Sequence, residues 1–381
     1  MRRVQRSRLG FFLCLSAIGL GSACAGVDDD EIGALGEEIV GGQNTTIAEH
    51  PWQIALTTNA AFQFCGGSIL NPSWVLTAQH CVAGGNADMR VVAGITRKSQ
   101  QSTGQIRAID GFVTFPGFVD PSVGKDVAMV HLATPLDLSG ANAKAIPLVT
   151  AADASAGATA PGVISTITGW GTLSSGGSTP DILQEVDIPL VSNAQAQEQY
   201  GPEGIMITAD QLGAGIPGVG GVDSCQGDSG GPLTVQFGGV TKLGGAVSWG
   251  FGCADPDFVG LYARVSSFAS FITARANGVF SKPISLTGLS GARSSFTHRS
   301  VTVPTGARTL SAVIKGGSGD ADLYVRFGTQ PTTSTFNCRP FLNGNNEFCT
   351  IDSPAAGTWF ISIRAFAAYS GVSLTAAVVT P

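Results

Sequence analysis

Reactive chemistry in this chain concentrates in one stretch, DSCQGDSGGPL at 223–233, where Ser229 sits among Gly227, Gly230 and Gly231. Glycines let the backbone turn sharply and leave neighbouring amides free to converge on one point, which is what a developing oxyanion needs. A serine hydroxyl alone is a poor nucleophile. It needs an adjacent base, and the base needs a carboxylate to orient it. Of only four histidines, His80 in LTAQHCV stands beside a cysteine, and Asp126 in KDVAMVHL precedes a run of buried character. Histidine, aspartate and serine together are the parts of a nucleophilic acyl-transfer site. Each part also has a plain structural explanation: Ser229 in a Gly-rich turn, His80 as a structural histidine, Asp126 as a cap.

Elements must bring these distant side chains together. Of the 381 residues, 43% are hydrophobic and 13% charged, and 52 Gly and 19 Pro punctuate the chain, a composition that favours a folded, turn-rich, β-dominated protein over a helix bundle or a disordered chain. The length allows two or three domains. Short apolar runs (WQIALTT, SWVLTA, MRVVAGI, DVAMVHL, VISTITGWG, LGGAVSWG, GLYARV) alternate with Gly, Pro, Asn and Ser clusters, predicting an all-β barrel or sandwich. One exception, SSFASFITARAN at 266–277, places Phe268, Phe271, Ile272 and Arg275 at helical spacing and predicts a helix. The Gly, Ser and Pro content that follows reads as a linker over 278–284, with a second set of strands at 285–381.

The net charge of −6 and pI near 5.2 leave no basic footprint for nucleic acid or an anionic membrane surface. The N-terminus, MRRVQRSRLG followed by FFLCLSAIGL, has the layout of an export signal, with cleavage expected after Ala25; the alternative is a lipid anchor on Cys24. Its apolar run is too short to span a bilayer, and no later stretch reaches that length. Residues 26–38, GVDDDEIGALGEE, read as an acidic pro-segment. With Cys14 and Cys24 excluded, Cys65, Cys81, Cys225, Cys253, Cys338 and Cys349 remain, an even number that reads as three disulfides in an oxidising compartment. Zinc is disfavoured because no CxxC pair accompanies His80.

Taken in order, IVGG, LTAQHC, DVAMVHL, GWG, DSCQGDSGGP and SWG resemble a trypsin-like serine protease over 39–277. The order His80, Asp126, Ser229 is that of the chymotrypsin arrangement. The resemblance implies a double six-stranded β-barrel with a C-terminal helix and the triad at the barrel junction, needing no cofactor. Ser229 would be the nucleophile, His80 the base and then the acid, and Asp126 the group that sets the imidazole tautomer. Amides of Gly227 and Ser229 would form the oxyanion hole. Asp223 would floor the substrate pocket, with Ser248, Gly250 and Gly260 around it, so that a secreted monomer would cut protein or peptide substrates after Arg or Lys. Asp223 as a surface turn residue is the competing explanation. Cys65 would pair with Cys81, and Cys225 with Cys253.

The resemblance also implies that Ile39, once freed, pairs its ammonium with Asp228. Three departures stand out. Gln79 occupies a position where the family commonly has alanine, Gly213 one where it commonly has cysteine, and Glu38 precedes Ile39 where Arg or Lys is usual. A pocket floored by Asp223 repels a glutamate, so a separate activating protease is expected to cut after Glu38.

Residues 285–381 resemble the pre-peptidase C-terminal domain of secreted bacterial proteases, a small β-sandwich with Cys338 and Cys349 closing a short loop. Asp320 and Asp322 read as turn formers in preference to calcium ligands, and no metal is assigned. Tyr324, Phe341, Trp359 and Tyr369 fit core packing or a binding face. Two other functional classes compete with a protease: a silent protease fold, for which a replaced triad residue would be the sign, and an adhesion module carried by the C-terminal domain.

Overall fold

The computed structural model describes residues 39–83 and 89–381. The expected export signal with Cys14 and Cys24, and the acidic segment through Glu38, lie outside the described residues. A two-residue strand, β1 (Gln43–Asn44), opens the described chain. The next six strands, β2 (Gln53–Thr57), β3 (Gln63–Asn71), β4 (Trp74–Thr77), β5 (Arg90–Ala93), β6 (Gln105–Thr114) and β7 (Ala128–Leu132), close into an antiparallel barrel in the order β2-β3-β4-β7-β6-β5.

A second set, β8 (Ile164–Gly169), β9 (Gln184–Val191), β10 (Gln211–Ala214), β11 (Pro232–Phe237), β12 (Val240–Trp249) and β13 (Gly260–Arg264), forms another barrel, closed by the β8–β9 pairing, with β1 added to β9. The period-2 rule explains why strands such as β2 and β4 are buried along their whole length. Ile54 and Leu56 of β2 fill the first barrel, whereas the intervening Ala55 packs with Trp170 and Leu183 of the second half. In β4, Val75 points inward, while Trp74 and Leu76 face Leu243, Ala246 and Phe268. Such strands weld the two barrels, and the loops at their junction are thereby held in register.

The predicted helix spans Val265–Ala276, with Phe268 and Ile272 buried against the barrels. Its last turn carries Arg275, 3.5 Å above the Phe271 ring, which donates to Thr309 Oγ1 at 2.8 Å and pairs with Asp352. Both of those partners belong to the next domain. That domain is a sandwich of two antiparallel sheets. One contains β14 (Val279–Gly291), β16 (Thr309–Lys315), β18 (Glu347–Asp352) and β20 (Tyr369–Thr380), and the other β15 (Phe296–Val303), β17 (Ala321–Phe327) and β19 (Gly357–Ala365). Alternate residues Ile361, Ile363 and Ala365 of β19 meet Ala312, Ile314 and Leu374 of the facing sheet.

Two expectations change here. The stretch 278–284 is no free linker: β14 begins at Val279, paired with Thr380 of β20. Proline is tolerated because β14 is an edge strand and Pro283 falls in a register break between Ser281 and Ile284. Phe280 stacks on His131 with centroids 3.7 Å apart and sits over Gly111, where a Cβ would lie 2.5 Å from its ring. Lys282 Nζ reaches Asp110 at 2.5 Å. The strand is therefore clamped to the first barrel. Asp322, read as a turn former, lies inside β17, buried and 3.5 Å from the Arg364 guanidinium; Asp320 does accept from the Gly344 amide at 3.2 Å in the manner of a turn residue. Tyr324, Trp359 and Tyr369 are core residues, and Phe341 is half exposed.

Candidate active site

His80 lies on a short helix, Gln79–Ala83, directly after β4, and the Cys65–Cys81 disulfide ties that helix to β3. Cys65, His80 and Cys81 place S and N atoms within 4.8 Å of one another, but both sulfurs are spent in the disulfide and offer no thiolate to a metal. Asp126 stands two residues before β7 and is 1% exposed. Its Oδ1 accepts from the His80 amide at 2.9 Å, and its Oδ2 takes His80 Nδ1 at 2.7 Å and the Ser248 hydroxyl at 2.6 Å. An ionised carboxylate only accepts, so the proton resides on Nδ1 and the Nε2 lone pair is left as a base. Ser248, expected around the pocket, lines it while turning its hydroxyl to Asp126. Gln79, the first residue of the same short helix, is buried.

Ser229 is fixed through its backbone to the same disulfide loop. Its carbonyl accepts from Gly66 at 2.8 Å and lies 3.5 Å from Cys81 Sγ. The preceding turn requires Gly227 at φ +101, and Gly230 at φ +77 leaves no space for a Cβ, which would meet Thr77 Oγ1 at 2.1 Å. Gln226 O accepts from Thr172 N at 2.8 Å. Across a trans peptide the following N–H points the opposite way, so this bond turns the Gly227 amide away from Thr172. On its other side, Gln63 Nε2 holds the Gly227 carbonyl at 2.7 Å. Among the described residues, the amides of Gly227 and Ser229 donate to no protein acceptor. Two unspent donors beside a serine are what a tetrahedral oxyanion requires.

Beside Ser229 opens a cavity of about 190 Å³, lined by Asp223, Gln226, Trp249, Gly250 and Gly260 among others. The two glycines face each other: a Cβ on Gly250 would lie 3.7 Å from Gly260 Cα, and one on Gly260 would lie 2.4 Å from Asp223 Oδ1. Any side chain at 260 would therefore block access to the carboxylate. Asp223, 5% exposed, accepts from the amides of Ser224 at 2.8 Å and Ala254 at 3.1 Å. Ala254 holds φ +56, a costly conformation for a non-glycine, in the loop that turns its N–H toward that carboxylate. Burial pushes the Asp223 carboxyl up to about 7, against the pull of those amides and the Tyr262 hydroxyl. The surface-turn explanation of Asp223 is not what the fold contains.

The trypsin family model matches residues 39–272, and the model of the bacterial pre-peptidase C-terminal domain matches 299–365. This chain belongs to the trypsin family. Trypsin-1 of Astacus astacus is 37% identical over 246 residues, covering 62% of this chain and 100% of that protein. A bacterial relative, the trypsin of Saccharopolyspora erythraea, is 37% identical over 243 residues, 63% of this chain and 98% of its own length. A mouse tryptase is 36% identical over 248 residues, 62% of this chain and 88% of its own. The protein is a trypsin-like serine endopeptidase.

In this trypsin-like enzyme Asp228 is enclosed. Its carboxylate accepts from Gly171 N at 2.7 Å and Cys225 N at 2.9 Å, and a Cβ at Gly169 or Gly171 would intrude to 2.0 or 2.4 Å. Burial raises its pKa to about 6, although those amides and the Lys98 charge pull it down. Ile39 is fully buried among apolar residues that include Ile188, Leu212 and Tyr262. Its nitrogen belongs to the Glu38–Ile39 peptide of the intact chain, and among the described residues no bond joins Ile39 to Asp228. Gly213 packs where a Cβ would lie 2.6 Å from Val191, so the absent cysteine is replaced by close packing. Cys225 joins Cys253, and Cys338 joins Cys349.

Sequence reasoning missed Gln63, Gly169, Gly171 and Tyr262. GWG carried a signal, two glycines bracketing a tryptophan with no catalytic chemistry of their own. Gln63 carried none, because its partner is a backbone carbonyl far along the chain.

Proposed function

We propose that this protein is a secreted endopeptidase made as a zymogen, cutting after Arg or Lys through His80, Asp126 and Ser229. The observation that carries the specificity is the buried Asp223 carboxylate at the end of a slot whose walls are glycines. A buried anion is costly unless a cation meets it, and a guanidinium or ammonium on a long apolar stem satisfies both the walls and the floor. Ser229 Oγ attacks the carbonyl carbon of the bound residue while His80 Nε2 takes the hydroxyl proton, and Asp126 stabilises the imidazolium through Nδ1. The Gly227 and Ser229 amides receive the oxyanion. His80 then gives its proton to the leaving amine, and water deacylates the enzyme by the same steps.

In this reading release of Ile39 supplies an ammonium for Asp228. The raised Asp228 carboxyl of the intact chain is what a buried acid without a full counter-charge gives, and the new pair would lower it. Activation would order the Gly227 turn next door. Because Glu38 does not suit an Asp223 pocket, a protease of different specificity performs the cut.

The central test compares paired Arg, Phe and Glu esters, together with labelling by an active-site serine reagent in wild type and Ser229→Ala. Arg preference and loss of labelling are expected; a Phe or Glu preference, or persistent labelling of Ser229→Ala, refutes the assignment. For activation, Glu38→Arg is expected to convert the chain to self-activation. Cleavage after Glu38 of a Ser229→Ala zymogen by active wild type would refute the need for a second protease.

A further inference from the structure

Asp126 meets His80 at the edge of the first barrel, yet the backbone that aims it is irregular. The chain approaches β7 through a single 3₁₀ turn, Pro121–Val123, followed by Gly124 at φ +80 and Lys125 at φ +60. Glycine takes the left-handed region freely, but a lysine there is strained and persists only where its surroundings hold it. Val127 N then donates to Lys125 O at 2.9 Å, a three-residue turn centred on Asp126. The direction of the Asp126 side chain is therefore set by the conformation of the residue before it.

What holds Lys125 comes from the other barrel. Asp210, one residue before β10, accepts from the Lys125 amide at 2.8 Å through Oδ2. Its Oδ1 takes the Thr208 hydroxyl, and its backbone carbonyl accepts from Arg264 N of β13 at 2.8 Å, so the carboxylate is itself anchored. The next residue, buried Gln211, donates from Nε2 to Pro121 O at 3.1 Å and docks the start of the same segment. The approach is close: a Cβ at Gly124 would lie 2.6 Å from Asp210 Oδ1. An anionic acceptor on a backbone N–H is among the stronger hydrogen bonds a protein makes.

We propose that Asp210 is a positioning residue for acyl transfer: by gripping the Lys125 amide it holds the strained backbone that points the Asp126 carboxylate at His80 Nδ1. This role rests on the reading of His80, Asp126 and Ser229 as the triad. Asp210 touches neither substrate nor a reacting atom, and it acts through the turn it fixes. Released from that grip, Lys125 relaxes out of the left-handed region and the carboxylate swings from Nδ1. The imidazole is then free to rotate or to carry its proton on Nε2, where it is no base. Ser248 of β12 steadies the same carboxylate at 2.6 Å. Both supports belong to the barrel that carries Ser229, so the pair on the first barrel is aligned by the barrel of its nucleophile.

The experiment uses activated, full-length enzyme below the denaturation midpoint of every variant. Asp210→Ala is expected to lower kcat for an Arg ester about 10- to 100-fold, the cost of a small misplacement at the reacting groups, with KM and benzamidine affinity within about twofold of wild type. Asp210→Asn keeps an oxygen for Lys125 N and can donate its amide to Thr208 Oγ1, so it is expected to stay within about threefold of wild type. Lys125→Gly is expected to raise kcat about fivefold on the Asp210→Ala background and to leave the wild-type background nearly unchanged, because glycine takes φ +60 without strain. In proton NMR the His80 Nδ1–H signal, held by the 2.7 Å bond to Asp126, should be lost from Asp210→Ala and kept in Asp210→Asn. Thr208→Val, which removes only the hydroxyl on Oδ1, is the milder probe should Asp210→Ala not fold, with kcat expected to fall about threefold at constant KM. An unchanged kcat in Asp210→Ala, or in Thr208→Val where that variant must stand in, overturns the proposal. So does an equal loss in Asp210→Asn, or an effect of Lys125→Gly that is the same on both backgrounds. Serine-reagent labelling of wild type, and its loss in Ser229→Ala, separates failure of this role from failure of the triad reading.

Discussion

A pocket floor whose carboxyl burial raises to about 7 makes cation binding depend on pH in a calculable way. An amidinium or guanidinium guest needs Asp223 ionised, so below about pH 7 binding must first release a proton. The apparent dissociation constant then scales as one plus the ratio of protonated to ionised pocket. That factor is close to one at pH 8 and roughly a hundred at pH 5, a loss of about 2.7 kcal/mol of binding free energy. Benzamidine titrated calorimetrically from pH 5 to 8 tests it, because equilibrium binding does not pass through the acyl-transfer steps proposed for His80. Near pH 6 the measured heat should also vary with the ionisation enthalpy of the buffer, reporting nearly one proton released. Asp223→Asn is expected to bind about 10²- to 10⁴-fold more weakly at pH 8, from the 3–5 kcal/mol that loss of one partner of a buried ion pair costs, and to lose most of the pH dependence. A benzamidine affinity that stays flat between pH 5 and 8 in wild type would refute the reasoning that burial, and not the local amides, governs this carboxyl.

Gly169→Ala drives a Cβ to 2.0 Å from Asp228 Oδ1 and is expected to lower kcat/KM by more than about a hundredfold together with the thermal midpoint. Gln63→Leu removes the 2.7 Å bond to the Gly227 carbonyl and should reduce kcat about tenfold with little change in KM; an equal effect on benzamidine affinity would show that the pocket had moved instead. Phe280→Ala empties the seat over Gly111 and His131 and is expected to destabilise the protein by about 1–3 kcal/mol, read as a lowered denaturation midpoint with ester hydrolysis unchanged at low temperature.

Local pattern alone determined a good deal here. Alternating apolar runs between turn residues foretold an all-β chain, and Phe268, Phe271, Ile272 and Arg275 foretold the helix, because strand and helix periods are written in the spacing of side chains. The motif order singled out His80, Asp126 and Ser229 as the proposed reactive trio, since each stands in a short string whose composition marks it, and the fold brings the first two into hydrogen-bond contact. Reading failed where composition and geometry part company. Gly, Ser and Pro at 278–284 suggested a linker, yet an edge strand accepts all three, and only the Phe280 seat on His131 reveals a clamped junction. Asp322 looked like a turn residue until β17 carried it beside Arg364.

What tertiary structure alone decided is which groups meet across the chain. Ser248 belongs to Asp126, Gln63 to Gly227, and Gly169 with Gly171 to Asp228. None of these pairings lies within one element; the first two depend on two closed barrels meeting at a fixed register, and the third on the end of β8 lying beside the loop that precedes β11 within the second barrel. The raised acidity range of Asp223 is likewise a property of the fold: the same aspartate in an open turn would be solvated, and burial is what lifts its carboxyl.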